Sequence, residues 1–173
     1  MISTASLVRN GENGEDRVRV EQCGERTLLV VADGAGGLGS GGLAADITCA
    51  VAVEKMRALS ASSMARWERA LLTVDLEVAR RARGGHASAV MLSVTEEYVV
   101  GASVGDCNAW IVTPTEIDEL TVAQRRKPLL GSAGIDPVSF GPVPLRGRLV
   151  VATDGLATCA NVAKVTVSPG LAT

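Results

Sequence analysis

Two apolar segments of the chain end in the same way, in an aspartate that is followed at once by a glycine. The segment LLVVA runs into Asp33 and Gly34, and the segment LVVAT runs into Asp154 and Gly155. Each segment is short, continuous and rich in valine, which is typical of a strand buried on both faces. The fold must therefore bring two buried strands to an end directly at an ionisable side chain.

Further carboxylates occupy similar positions. Asp106 follows the apolar run VVGASVG, and Glu15 and Asp16 come just before a short alternating segment. An ionised carboxylate beside buried apolar residues is costly unless it is paired or binds a cation. A hard divalent ion such as Mg²⁺ or Mn²⁺ takes oxygen ligands of this kind. The glycine after each Asp would let the backbone carbonyl reach a metal or let the chain turn sharply. Asp-Gly is also ordinary turn chemistry, and this alternative stays open.

Two other kinds of site are less well supported. Gly34, Gly36 and Gly39 form a G-x-G-x-x-G pattern after a predicted strand, as in a dinucleotide-binding loop. The charge of Asp33 would repel a pyrophosphate there, and the elements that follow do not alternate as strand, helix and strand. His86 is the single histidine, and no serine or cysteine can be assigned to it as a nucleophile. We expect a structural or surface histidine.

Composition narrows the class of protein. A chain of 173 residues that is 47% hydrophobic is predicted to form one domain over residues 1–173. A net charge of -2 and very few aromatic residues argue against a nucleic-acid partner. The densest basic clusters are predicted to be solvated faces. They are Arg80, Arg81 and Arg83, and Arg125, Arg126 and Lys127.

The cellular location is predicted from a search of the sequence for membrane-spanning and targeting segments. No apolar run approaches the length of about 18 residues that spans a bilayer, so no membrane association is expected. The first ten residues lack the apolar centre of a signal peptide. Four cysteines fit no metal-binding spacing. We expect a cytoplasmic protein with reduced thiols, with Cys49 buried and Cys107 a small buried thiol.

The order of predicted elements indicates an α+β fold, in which helices cover an antiparallel sheet or pair of sheets. Helices are predicted over Leu43 to Leu59 and Met64 to Arg83, with an N-cap at Ser62 or Ser63. Short connections favour a meander of the three middle strands, and residues 127–144 are predicted to be a loop rich in glycine and proline. The predicted strands are Arg17 to Val20, Thr27 to Ala32, Ala87 to Val94, Tyr98 to Val104, Asn108 to Val112 and Arg148 to Thr153.

An ordered series of motifs resembles the metal-dependent type 2C (PPM) family of Ser/Thr protein phosphatases, in its short bacterial form. Each motif is weakly specific, but the series spans roughly residues 10–160. The motifs are GEDRVRV at 14–20, VVADGAGGLGSGGLAAD at 30–46, GGHASAVML at 84–92, VGASVGDCNAWIV at 100–112, ELT at 119–121 and LVVATDGLA at 149–157.

The resemblance implies an αββα sandwich of antiparallel sheets flanked by helices, with two Mg²⁺ or Mn²⁺ ions at one end of the sandwich. It implies that a water activated by these ions attacks the phosphoserine or phosphothreonine of a phosphoprotein substrate. The implied catalytic residues are Asp33, Asp154 and Asp16. Asp33 would bridge the ions, Gly34 would offer its carbonyl, Asp154 would be a second carboxylate ligand, Glu15 and Asp16 would ligate the metal or hold its waters, Asp106 would serve a weaker third ion, and Arg9 would bind phosphate.

Departures from the family pattern favour a second hypothesis. Gly14 stands where asparagine is usual, and Gly11 stands where the phosphate-binding arginine is expected, so that Arg9 is displaced. The family ends in an Asp-Asn motif, whereas no aspartate follows Asp154 in this sequence. A site with fewer carboxylates binds divalent ions more weakly. The second hypothesis is a catalytically silent relative that acts as a binding or regulatory module.

Overall fold

The computed structural model describes residues 2–4, 6, 14–35 and 40–155, and within these ranges the chain forms two helices and eight strands. The helices are α1 (Ser40–Met56) and α2 (Met64–Arg81). The strands are β1 (Asp16–Cys23), β2 (Arg26–Ala35), β3 (His86–Val94), β4 (Tyr98–Val104), β5 (Asn108–Val112), β6 (Ile117–Glu119), β7 (Val138–Pro144) and β8 (Arg148–Ala152).

The strands form two antiparallel sheets. The larger has the order β1-β2-β3-β4-β7, and the smaller has the order β6-β5-β8. Both helices pack on one face of the larger sheet, and the smaller sheet covers its other face. This confirms the predicted α+β class with antiparallel sheets and helices. Within the described ranges, neither helix is both long and apolar enough to cross a membrane.

Strand β2 lies at the centre of this arrangement, because it contributes to both hydrophobic layers. Leu28, Val30 and Ala32 point into the core beneath the helices, whereas Val31 points into the core between the sheets. Successive side chains of a strand alternate between its faces, so Asp33 follows Val31 on the side of the smaller sheet. Burial on both faces explains why this segment is a continuous apolar run.

The helices agree with the helical periodicity of the sequence. Trp67, Leu71, Val74 and Val78 of α2 are fully buried against the larger sheet, and the Trp67 indole N–H donates to the Ser60 carbonyl over 3.1 Å. Ser63 takes the N-cap position, as predicted, but its side chain makes no capping hydrogen bond. Helix α1 begins at Ser40 and ends at Met56, three residues earlier at each end than predicted.

The prediction of a loop over residues 127–144 was wrong in its last part, because β7 occupies Val138–Pro144. Gly141 and Pro142 within it argue against a strand, since proline cannot donate to a sheet and is tolerated mainly at edges. Strand β7 is at the edge of the larger sheet, where this restriction is weakest. The three-residue strand β6 was also not predicted.

The predicted meander was wrong for its third strand. Strands β3 and β4 pair as a hairpin, but β5 leaves the larger sheet and pairs with β6 and β8. The change of sheet occurs at Gly105, whose φ of +85° lies in the left-handed region that favours glycine. A short connection therefore joins two layers here instead of two neighbouring strands.

Candidate functional site

Asp16 and Asp33 face each other across the β1–β2 pair. They are direct partners in the antiparallel register, so their side chains lie on the same face of the sheet. The Thr153 hydroxyl donates to Asp16 Oδ2 over 3.3 Å and brings the end of β8 to the same place. The pairing of the strands therefore gathers the ends of β1, β2 and β8 at one end of the sandwich.

Arg17 fixes the start of β1. Its guanidinium donates to the carbonyl oxygens of Gly14 and Asp16 at 2.6 and 2.9 Å. It also forms a two-point contact with Asp46 of α1, at 2.6 and 3.2 Å. The hydrogen bond that Arg17 donates to Asp46 raises the pKa of Arg17. Arg17 thus ties the segment that carries Glu15 and Asp16 to the first helix.

Gly34 is required by the close approach of α1 to β2. A Cβ atom at Gly34 would collide with the carbonyl oxygen of Gly41, and a Cβ at Gly41 would lie 2.6 Å from Glu15 Oε1. The Gly34 amide donates to the Glu15 carbonyl over 3.3 Å. The Glu15 side chain therefore lies against the first turn of α1. Packing of helix on strand is a reason for Gly34 that the sequence did not indicate.

Asp106 and Asp154 are linked by Arg126, which the sequence analysis assigned only to a solvated basic cluster. Arg126 donates to Asp106 Oδ2 from Nε at 3.3 Å and from Nη2 at 3.1 Å. The same Nη2 lies 3.7 Å from Asp154 Oδ2. The QRRKP segment looks like a solvated charged loop, and the Arg126 side chain is indeed exposed. Nothing in the local pattern distinguishes Arg126 from its neighbours.

Electrostatics connect these carboxylates into one site. The pKa of Asp33 is raised from 3.8 to about 7, first by burial and then by repulsion from Asp16, Asp154 and Asp106. Burial and neighbouring like charges both disfavour an ionised carboxylate. An excess of negative charge therefore collects at this end of the sandwich, as the sequence analysis expected of a cation site.

The chemistry of the donors fits a hard divalent cation, because carboxylate oxygens are the ligands that Mg²⁺ and Mn²⁺ prefer. As the side chains lie, however, no group of three or more His, Cys, Asp or Glu residues within the described ranges has the spacing to hold a metal ion. Asp16, Asp106 and Asp154 are close enough to repel the charge of Asp33. The four carboxylates do not form a complete metal coordination sphere in this arrangement.

The remaining predicted residues have varied positions. Arg9 lies outside the described residues. Cys107 is fully buried, as predicted, with its sulfur 3.0 Å from the Ser88 hydroxyl, and burial raises the pKa of its thiol. His86 begins β3 and is half-buried.

The alternative of a dinucleotide-binding loop after Asp33 is wrong, because β2 is antiparallel to both of its neighbours.

Several solved structures resemble this fold at low sequence identity. Serine/threonine phosphatase Stp1 from Staphylococcus aureus is 19% identical, with a TM-score of 0.73 over 92% of this chain and 78% of its own. The serine/threonine phosphatase of S. agalactiae is 18% identical, with a TM-score of 0.71 over 92% and 81%. The PPM Ser-Thr phosphatase MsPP from Mycobacterium smegmatis is 19% identical, with a TM-score of 0.68 over 95% and 83%.

Sequence comparisons give a family but no near relative. A search of curated protein sequences finds no significant match. The family model for protein phosphatase 2C matches residues 5–127, which is more than half of the chain and includes Asp16, Asp33 and Asp106. The ordered motifs, the antiparallel two-sheet fold and this match agree, and the chain belongs to the protein phosphatase 2C family.

Proposed function

We propose that this protein hydrolyses phosphoserine and phosphothreonine in proteins with Mg²⁺ or Mn²⁺ bound at the end of the sandwich. The observation that carries the proposal is the convergence of Asp16, Asp33, Asp106 and Asp154 at one end of the sandwich, where burial and the charges of the other aspartates also raise the pKa of Asp33. A nearby positive charge stabilises such a carboxylate in its ionised form. In a family of phosphatases, a divalent cation is the natural source of that charge.

Each residue has a proposed role. Asp33 and Asp154 would ligate the metal directly, with the Gly34 carbonyl as a further ligand. Asp16 and Glu15 would ligate an ion or orient its waters, and Asp106 would serve a weaker third ion. Bound metal would supply activation of a water nucleophile and would neutralise charge on the phosphoryl oxygens. Arg9 is the proposed phosphate-binding residue of the chain.

The hydroxyl of Thr153 contributes to this arrangement through Asp16. It donates to Asp16 Oδ2, and Asp16 lies directly opposite Asp33 in the strand register. Hydrogen bonds of this kind fix the orientation of ligating carboxylates and tune their affinity for metal. The proposed role of Thr153 is thus to orient Asp16, while the carboxylates of Asp16 and Asp33 hold the cation.

The proposed setting is the cytoplasm, with a phosphoprotein as the substrate and one domain formed by residues 1–173. Cys23, Cys49 and Cys107 are free thiols, in keeping with a reducing compartment. A net charge of -2 gives no electrostatic reason to expect nucleic acid as a partner.

A catalytically silent binding or regulatory module is the second candidate function. The contact of Arg126 with Asp106 and Asp154 favours it, because a guanidinium already satisfies part of the acidic site. If that contact persisted in the presence of divalent ions, the site would hold fewer metal ligands than hydrolysis needs.

Hydrolysis assays separate the two candidates. We would measure release of phosphate from p-nitrophenyl phosphate and from phosphoserine and phosphothreonine peptides, with Mn²⁺, with Mg²⁺ and with a chelator. The variants are Asp33→Asn and, as a matched control, Asp136→Asn, which removes an exposed carboxylate that forms an ion pair with Arg125. We expect a metal-dependent rate that Asp33→Asn lowers more than about 100-fold, since it loses a direct ligand.

The control should retain the rate of the wild type, because Asp136 lies outside the acidic site. A wild-type protein that shows no metal-dependent hydrolysis of any of these substrates would leave the silent module as the better description. Equal rates for the wild type and the Asp33→Asn variant would also overturn the proposed chemistry.

A further inference from the structure

Arg126 joins two carboxylates that belong to different parts of the fold. Asp106 lies in the turn between β4 and β5, whereas Asp154 follows β8. One nitrogen of Arg126, Nη2, lies 3.1 Å from Asp106 Oδ2 and 3.7 Å from Asp154 Oδ2. The two oxygens that face the guanidinium are donors that a divalent ion at this position would also need.

We propose that Arg126 is an internal competitor for divalent cations, which occupies the Asp106–Asp154 pair in the metal-free protein and is displaced when metal binds. This inference rests on the proposed function, because it concerns metal binding at the same acidic site. In this proposal, Arg126 of the QRRKP loop controls how tightly the acidic site binds metal.

The geometry supports competition at the same oxygens. Asp106 Oδ2 accepts from both Nε and Nη2 of Arg126, at 3.3 and 3.1 Å. A two-point contact of this kind uses the lone pairs that would otherwise face a cation. Asp106 and the guanidinium therefore cannot keep this contact while Oδ2 ligates an ion from the same side.

The contact is also weak enough to be broken. The Arg126 side chain is 76% exposed, while the side chains of Asp106 and Asp154 are 28% and 45% exposed. Ion pairs at such positions contribute little because water and salt screen them. The Arg126 side chain can rotate into solvent with little loss of buried surface.

The segment that follows Arg126 is anchored to the rest of the fold, so displacement of Arg126 needs only side-chain rotation. Leu130 exchanges two backbone hydrogen bonds with Ala87 at 2.9 and 3.1 Å. The buried carboxylate of Asp75 accepts from the amides of Gly131 and Ala133 at 2.7 and 3.2 Å. These contacts attach the loop to β3 and α2 and keep Arg126 within reach of the acidic site.

Calorimetric titration of the full chain with Mn²⁺ tests the proposal. The variants are Arg126→Gln and the matched control Arg125→Gln, which removes the same charge one residue away, where Arg125 lies 3.8 Å from Asp136. We expect Arg126→Gln to bind Mn²⁺ roughly 5- to 30-fold more tightly, since two exposed ion pairs contribute about 1–2 kcal/mol. Arg125→Gln should change the affinity less than about twofold, because its charge is screened.

A spectroscopic readout follows the displacement itself. In the wild type labelled with ¹⁵N, addition of Mg²⁺ should shift the Arg126 Nε resonance and speed its proton exchange with water, because the hydrogen bond to Asp106 is lost. The Arg125 resonance should stay unchanged. Arg126→Lys keeps the charge but not the two-point geometry, and its Mn²⁺ affinity should fall between those of the wild type and Arg126→Gln.

The possible outcomes distinguish this inference from the proposed function. Equal Mn²⁺ affinities for Arg126→Gln and Arg125→Gln, with metal-dependent hydrolysis intact, overturn the competition and leave the function standing. A failure of the wild type and of Arg126→Gln to bind Mn²⁺ overturns both. Tight binding to Arg126→Gln but not to the wild type supports competition and makes the wild type a protein that Arg126 holds inactive.

Discussion

Removal of the Asp33 charge should stabilise the metal-free protein above neutral pH. The carboxyl is half-buried at the end of β2, and Asp16, Asp106 and Asp154 all act on it. Above a pH of about 7, the folded protein has to keep this group ionised in a place that disfavours charge. The Asp33→Asn substitution keeps the shape of the side chain and removes the charge.

The size of the effect follows from the shift in pKa. A rise from 3.8 to about 7 corresponds to about 4 kcal/mol if the whole shift is expressed as stability. Because Asp33 is only half-buried, solvent screening reduces the expected gain to about 1–2 kcal/mol. The folded-state pKa lies above the unfolded one, so the wild type keeps this stability below a pH of about 4 and loses it as the pH rises through 7.

Urea unfolding in the presence of a chelator measures this difference. The Asp33→Asn variant should exceed the wild type by about 1–2 kcal/mol near pH 8, and the gap should close as the pH falls toward about 4. Asp136→Asn is again the matched control, and it should show no such gap. The reasoning is refuted if Asp33→Asn is less stable than the wild type near pH 8, or if the gap does not depend on pH.

Three further predictions concern packing and reactivity. Asp75→Ala should lower the free energy of unfolding in urea by about 2–4 kcal/mol, because the amides of Gly131 and Ala133 lose the buried carboxylate that accepts from both. Gly34→Ala should lower it by about 1–3 kcal/mol, because the added methyl group collides with the backbone of α1 at Gly41. Iodoacetamide should modify Cys107 more slowly than the partly buried Cys23 in a mass-spectrometric time course, since burial raises the pKa of Cys107.

Each of these predictions has a clear counter-result. An Asp75→Ala variant as stable as the wild type would mean that water replaces the carboxylate. A Gly34→Ala variant of normal stability would mean that α1 can move away from β2 without cost. Modification of Cys107 at the rate of an exposed thiol in the folded protein would mean that the ends of the sheets open readily.

The sequence predicted those parts of the fold that repeat with a regular period. The stripe from Trp67 to Val78 has helical spacing, and the structure buries it against the larger sheet. The assignment of β5 to its sheet depends instead on the backbone at Gly105, where a short connection changes layers. A local sequence pattern does not determine which of the two sheets a strand joins, because burial in either sheet favours the same apolar side chains.

The carboxylates of the site could be predicted, whereas their cationic neighbour could not. Asp33 and Asp154 stand out because each follows an apolar run, where burial of an unpaired ionised carboxylate is energetically costly. Arg126 lies in a polar loop, where an arginine is ordinary, and only the tertiary fold brings it to Asp106 and Asp154. The steric role of Gly34 is likewise set by α1, which packs across β2 from a later part of the chain.

The distribution of the four aspartates over the fold has a mechanical consequence. Asp16 and Asp33 belong to the larger sheet, while Asp154 follows β8 of the smaller sheet and Asp106 lies where the chain crosses between the sheets. A metal ion ligated by aspartates from both sheets would cross-link the larger and the smaller sheet. Its affinity would then depend on how far apart the layers stand, so trimming Val31 or Ile111 in the core between them should weaken metal binding from a distance, with every ligand intact.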